Sequence, residues 1–209
     1  MRTDSIAHEL KAALLTGEFK PGADLIQTEL AERYAVSRIP IRDALRELSE
    51  EGLVVIGANG NARVIEPSRD EVAELFDIRV LLECDCLERA APNITEAALK
   101  DIDRLRRKAD LDAGSADWAT GDWQFHCAIY QHAQRPRQVR MIGSLRQTCQ
   151  FLIAAYRTLP KKTTTWLSDH AALVACLKRR DIAEASRVLR RHIEGARDFL
   201  LNLSHDKET

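Results

Sequence analysis

The stretch that most restricts the fold is "VSRIPIRDALRELSEEGLVVIGANGNARVIE", Val36 to Glu66, where a helix with a proline near its start runs into two β-rich segments. Ser37 suits an N-cap, which places Pro40 in the first helical turn, where a missing N–H costs nothing. Gly52, after Glu50 and Glu51, supplies a left-handed stop. "LVVI" and "ARVIE" then flank "GANGN", whose Asn-Gly pair signals a hairpin. Upstream, Ile6, Leu10, Leu14 and Leu15 make one apolar helical stripe that ends at Gly17, Pro21 and Gly22. Leu25 to Tyr34 reads as a second short helix, with Ala35 and Val36 in a tight turn. Three helices and a two-stranded hairpin make a winged helix-turn-helix over residues 1–66.

The helix opened by Ser37 has two faces. Ile41, Ala44, Leu45 and Leu48 form its apolar stripe, and Arg38, Arg42 and Arg46 share the other side one turn apart. A helix that reads DNA needs donors near its N-terminal end, and arginine can pair with guanine O6 and N7 together. Arg38 and Arg42 stand there, while Arg46 and Arg33 suit phosphates better than bases. The whole chain carries a formal charge of −1, so any nucleic-acid surface must be local. Residues 1–66 hold eight basic and eleven acidic residues, a net of −3, but between Arg33 and Arg46 four arginines meet Asp43 alone, a net of +3. The same arginines could pair with Asp43, Glu47 and Glu50 on an ordinary solvated face. The hairpin tip, Asn59, Gly60 and Asn61, tilts the reading towards a DNA-contacting wing.

After Pro67 the pattern changes. Ser68-x-x-Glu71 is a capping box, and six helical segments follow, at about 69–91, 95–112, 116–133, 137–158, 165–179 and 182–203. Pro92, Gly114, Pro136, Pro160 and Asp181 punctuate them, and no strand pattern appears. The predicted fold is therefore mainly α, a winged helix-turn-helix followed by an all-helical bundle over 67–209. Five cysteines, odd in number and without a C-x-x-C, argue for reduced thiols in a cytoplasmic protein. No apolar export segment follows Arg2, and no stretch reaches the ~18 apolar residues of a membrane span, so no membrane partner is expected.

The helical half contains "DWQFH", with Asp122 and His126 four apart on one face. His170 and His192 lie on later helices and could close a metal site across a bundle core. Neutral imidazoles suit zinc first, with nickel, iron or manganese as alternatives, and one carboxylate leaves a positive centre open to an anion. Spacing alone does not show that the helices converge, and His8, His132 and His205 read as packing or surface residues. Trp118, Trp123 and Trp166 read as core. A metal-dependent hydrolase on a helical scaffold would also use such a centre, but the E-x-x-H, H-E-x-x-H, G-x-S-x-G and phosphate-loop motifs are missing. An ion that only staples the bundle is a third reading.

"PGADLIQTELAERYAVSRIPIRDALRELSEEGLV" followed by "GNARV" resembles the DNA-binding domain of GntR-family bacterial transcription regulators, across almost all of residues 5–66. The resemblance implies that Ser37, Arg38 and Arg42 contact the operator and that Asn59 to Asn61 enter the minor groove as homodimers bind short palindromes. The later segment resembles the FCD domain of the FadR-type subgroup, through Arg79 and Glu83 in "FDIRVLLE", Asp122 to His126, and the histidines of "DHAALVACLKRRD" and "RRHIEGA". That likeness implies a divalent metal held by Asp122, His126, His170 and His192, with a small carboxylate effector beside it. Arg79 could clamp that carboxylate or simply pair with Glu83. The expected function is a transcription regulator, not an enzyme, whose affinity for double-stranded operator DNA responds to a small organic acid.

Overall fold

The computed structural model describes residues 3–113, 118–155 and 163–205. Among these, the chain forms helices α1 (Thr3–Leu15), α2 (Gln27–Arg33), α3 (Arg38–Glu50), α4 (Arg69–Ala90), α5 (Glu96–Leu111), α6 (Trp118–Tyr130), α7 (Pro136–Ala155), α8 (Thr163–Lys178) and α9 (Ile182–His205). Three short strands, β1 (Asp24–Leu25), β2 (Val54–Ile56) and β3 (Ala62–Val64), complete the list of regular elements apart from two 3-10 turns. Contacts divide the described residues into two compact units, 3–68 with 147–155, and 69–146 with 163–205.

In the first unit α3 packs against α1 and α2. Ile6, Leu10 and Leu14 of α1 meet Ile41, Leu45 and Leu48 of α3, all at most 1 % exposed, and each such side chain contributes about 1.5–3 kcal/mol of burial. Ser37 is the N-cap of α3, but its side chain makes no capping hydrogen bond. Pro40 is the third helical residue, within the turn whose N–H groups have no intrahelical partner. At the other end Gly52 adopts φ +74°, and the Gly52 and Leu53 N–H groups donate to the Ser49 and Leu48 carbonyls, both at 3.0 Å. This left-handed closure stops the helix where glycine alone avoids a Cβ clash.

The expectation of a two-stranded hairpin needs correction. The sheet has three strands in the order β1-β3-β2, with Asp24 opposite Arg63 and Leu25 opposite Ala62. Residues expected to open the second helix instead run extended, and that helix starts at Gln27. A two-residue strand is too short to show an alternation in sequence. The hairpin loop closes with Gly57 N–H to Asn61 O at 2.8 Å and Gly60 N–H to Gly57 O at 2.9 Å, and Gly60 takes φ +82°. Such a turn followed by a left-handed glycine is a common three-residue hairpin connection. Buried Gln27 ties the loop down, since its side-chain amide donates to the Gly60 carbonyl and its N–H donates to Asn61 Oδ1 at 3.1 Å.

The second unit is helical throughout. α4 lies along α9, α5 contacts α6 and α8, and α8 packs on α9. The Thr95 hydroxyl accepts from Ala98 N–H at 3.2 Å to cap α5, and Asp181 Oδ1 accepts from Glu184 N–H at 3.1 Å at the start of α9. Pro92, Pro136 and Asp181 fall at helix boundaries as expected, whereas Gly114 and Pro160 lie outside the described residues. Phe76, Leu87, Phe125, Ile129, Leu173, Leu189 and Ile193 build an apolar interior. Nine polar side chains are buried among the described residues of this unit: Arg79, Glu83, Asp103, Asp122, His126, Arg146, Asp169, His170 and His192. Buried polar groups in this number need one another, so they locate the chemistry of the unit.

The candidate metal centre and DNA-binding surface

α6 sets Asp122 and His126 one turn apart, and α8 and α9 bring His170 and His192 to the same point. His126 Nε2 and His170 Nε2 lie 3.3 Å apart, and Asp122 Oδ1 stands 3.3 Å from His170 Nε2 and 3.6 Å from His126 Nε2. The His192 ring centre is 4.8 Å from that of His170 and 5.4 Å from that of His126. One ligand atom from each of the four residues lies within 4.8 Å of all the others. Around a tetrahedral zinc with bonds near 2.0–2.1 Å, donor atoms sit roughly 3.3 Å apart, so the closest pairs already have the required spacing.

Protonation favours the same use. Burial, aided by the nearby Arg146 guanidinium, holds His126 well below the ordinary imidazole range, and burial lowers His192 too. Both are neutral at physiological pH, the form that binds metals. Burial alone would raise Asp122, but the Arg146 guanidinium outweighs it and keeps the carboxylate ionised.

Arg146 is the participant that spacing arguments missed. It projects from α7, 3 % exposed, donates to Asp122 Oδ2 at 2.8 Å, and pairs with Glu83. Glu83 also accepts from Tyr130 Oη at 2.7 Å and from Arg79 Nε at 2.8 Å. Arg79 is thus engaged with Glu83, one of the two roles expected for it. A signal for Arg146 exists in the sequence, because it occupies a core position in the helical register of Ile142 and Cys149. Trp118 and Trp166 stack at 5.3 Å, almost parallel and buried, while Trp123 is half-buried.

In the first unit Ser37, Arg38, Arg42 and Arg46 are all exposed along the face opposite Ile41, Ala44, Leu45 and Leu48. Arg42 has a loose partner in Asp43 at 3.6 Å, and no ion pair engages Arg38 or Arg46 among the described residues. Arg33 pairs with Glu18 and lies over the Phe19 and Tyr34 rings. At the wing, Asn59 is exposed, but its Oδ1 accepts from Asn61 N–H at 3.1 Å. The Asn61 carbonyl group of the side chain is spent on the start of α2, and the Gly60 carbonyl on Gln27.

A winged helix-turn-helix unit followed by a helical unit with a histidine-rich interior is the layout of a class of transcription regulators. Residues 2–64 match the gntR family of bacterial regulatory proteins, and residues 74–195 match the FCD domain. The chain belongs to the GntR family of transcription regulators, in the FadR-type subgroup that carries an FCD domain. It is 25 % identical over 206 residues to the gluconate operon transcriptional repressor of Bacillus subtilis (strain 168), covering 95 % of this chain and 84 % of that protein. The HTH-type transcriptional repressor GlaR of Escherichia coli (strain K12) is 28 % identical over 199 residues, covering 88 % and 89 %. Among solved structures, E. coli McbR/YncC superposes with a TM-score of 0.79 at 23 % identity over 96 % of this chain and 97 % of that one. A GntR regulator from Rhodococcus sp. RHA1 gives 0.78 at 21 % identity over 96 % and 98 %. These two similarities bear on fold alone. Among the described residues no helix is long and apolar enough to cross a membrane.

Proposed function

We propose that this regulator binds a short palindromic operator as a homodimer, and that a small carboxylate acting at a divalent metal in the helical unit controls its operator affinity. The observation that carries the metal assignment is the convergence of Asp122, His126, His170 and His192 to within 4.8 Å inside a packed core. Zinc is the first choice for three imidazoles and one carboxylate, with nickel, manganese or iron as alternatives. When bound, the ion supplies a positive centre with coordination positions left for an anion. The protein's own charges leave that centre uncompensated. Asp122 and Glu83 are already balanced by Arg146 and Arg79, and a buried excess of positive charge favours an anionic ligand. Gluconate, in the name of one relative, is a carboxylate of this class.

Operator contacts are assigned to the exposed face of α3. Arg38 and Arg42 reach base edges from its first turns, and Ser37, Arg46 and Arg33 hold phosphates, with Asn59 leading the wing and Gly60 and Asn61 shaping it. The homodimer has a candidate face too. Ile78 and Leu81 on α4 and Met141 on α7 are exposed, and Gln138 of α7 donates to the Leu82 carbonyl of α4 at 2.9 Å. Exposed Glu74 lies on the first helix and exposed Arg137 and Arg140 on the second, charges of opposite sign that two copies could pair. Effector occupancy then changes whether both half-sites are engaged together.

The test is to select an operator from random DNA with the full-length protein and measure its affinity with and without zinc and a panel of small organic and sugar acids. At least one acid is expected to shift the affinity fivefold or more, about 1 kcal/mol of coupling, only when zinc is present. Indifference to every acid and to metal removal would refute effector control.

A further inference from the structure

The three imidazoles of the cluster each turn a nitrogen outwards, towards groups outside the four candidate ligands. His126 Nδ1 lies 3.4 Å from the Tyr130 hydroxyl. That hydroxyl gives its proton to Glu83 Oε2 at 2.7 Å, so towards His126 it has only a lone pair to offer. His170 Nδ1 and Asp110 Oδ1 are 4.0 Å apart, and both are buried without a hydrogen-bond partner among the described residues. His192 Nδ1 is likewise unsatisfied, 3.8 Å from Asp169 Oδ2. Each outer position therefore holds an oxygen acceptor.

The acceptors are themselves anchored. Arg106 binds the second oxygen of Asp110, and its Nε also donates to Asp103 Oδ1 at 2.9 Å. Arg191 Nη2 donates to Asp169 Oδ1 at 2.7 Å. Asp169 sits next to the ligand His170 on α8, yet it faces His192 on α9, so it couples two ligand-bearing helices.

We infer that Asp110, Asp169 and Tyr130 are positioning residues for the metal, each drawing the proton of one imidazole to Nδ1 so that all three Nε2 lone pairs face the shared centre. The chemistry requires this division. An Nε2 proton on any of the three would point into the cluster and block that ligand, and the hydrogen bond at one ring nitrogen decides which nitrogen stays free. The separations of 3.8 and 4.0 Å exceed a hydrogen bond by roughly 1 Å, so metal binding would have to draw each pair together by ring or carboxylate rotation. This inference rests on the metal reading, since without an ion the tautomers have nothing to serve.

The test compares full-length wild type with Asp110→Asn, Asp169→Asn and Tyr130→Phe. Zinc affinity is measured by competition with a chromophoric chelator, and histidine tautomers are read by 15N NMR of the zinc-loaded protein. Asp110→Asn leaves Arg106 bound to Asp103, and Asp169→Asn releases an arginine that is already exposed, so metal-free melting should stay near wild type. Each variant is expected to bind zinc about 10- to 100-fold more weakly. Wild-type spectra should show zinc on Nε2 and a proton on Nδ1 for His126, His170 and His192. Zinc affinities within twofold of wild type in both aspartate variants, or coordination through Nδ1, would overturn the inference while leaving the metal site intact. If the wild type binds neither zinc nor cobalt, the metal reading falls and this one falls with it.

Discussion

Arg42 shows how one side chain can be separated into fold and function. Its guanidinium is half exposed and has only a surface partner at 3.6 Å, an interaction worth about 0–1 kcal/mol. Arg42→Ala should therefore leave the melting temperature almost unchanged, yet cost about 1–3 kcal/mol of operator affinity and relax preference at one base pair. Selection experiments on the variant check this, and an unaltered base preference would remove Arg42 from the reading surface. Arg33 differs, because its pairing with Glu18 and its position over two rings give it a local role as well. The four candidate ligand positions were legible in the sequence as residue types, two of them at helical spacing. Their meeting was not, because convergence depends on where α8 and α9 run relative to α6. Arg146 was harder still, since a charged residue in an apolar register looks like an interruption until its buried partners are seen.

At the scale of elements, the wing depends on Gln27. Its side-chain amide holds the Gly60 carbonyl, and its N–H takes Asn61 Oδ1, so the loop caps α2 from a distant part of the chain. Gln27→Ala should destabilise this unit by about 1–3 kcal/mol by stranding a part-buried carbonyl, and hydrogen exchange at residues 57–61 should speed up. Unchanged exchange there would show that the loop holds itself. α5 and α8 are tied through Asp103, which accepts from Arg106, Arg107 and Lys178 Nζ. Burial would raise its pKa, but these three cations bring it down to about 2. A lowered pKa stabilises the fold fully above the unfolded value near 3.8 and loses that contribution as pH falls towards 2. Asp103→Asn should lower the denaturation midpoint at pH 7, and the gap to wild type should narrow near pH 3. A gap of equal size at both would contradict the assignment. Helix boundaries were the most legible feature, because prolines and caps mark them directly. β1 was the least, because its two residues gain their strand character only from pairing with β3.

For the molecule as a whole, the two halves of the sequence announced themselves differently. The winged unit was readable from a dense local motif, while the helical unit offered periodicity and a few scattered residues, Arg79, Glu83 and the four candidate ligands. The proposed dimer face has the least local signal, since Ile78, Leu81 and Met141 stand out only by their exposure. Leu81→Glu, at a site 69 % exposed in the single chain, should leave the fold intact and shift sedimentation from dimer to monomer. An unchanged dimer would place the interface elsewhere. Whether a metal ion belongs in the helical interior is decided by direct stoichiometry. Metal-free protein reconstituted with zinc and freed of excess should carry one ion per chain by elemental analysis, and His170→Ala and His192→Ala should each lose most of it. Wild-type protein that retains no ion, or variants that retain as much as wild type, would contradict the account.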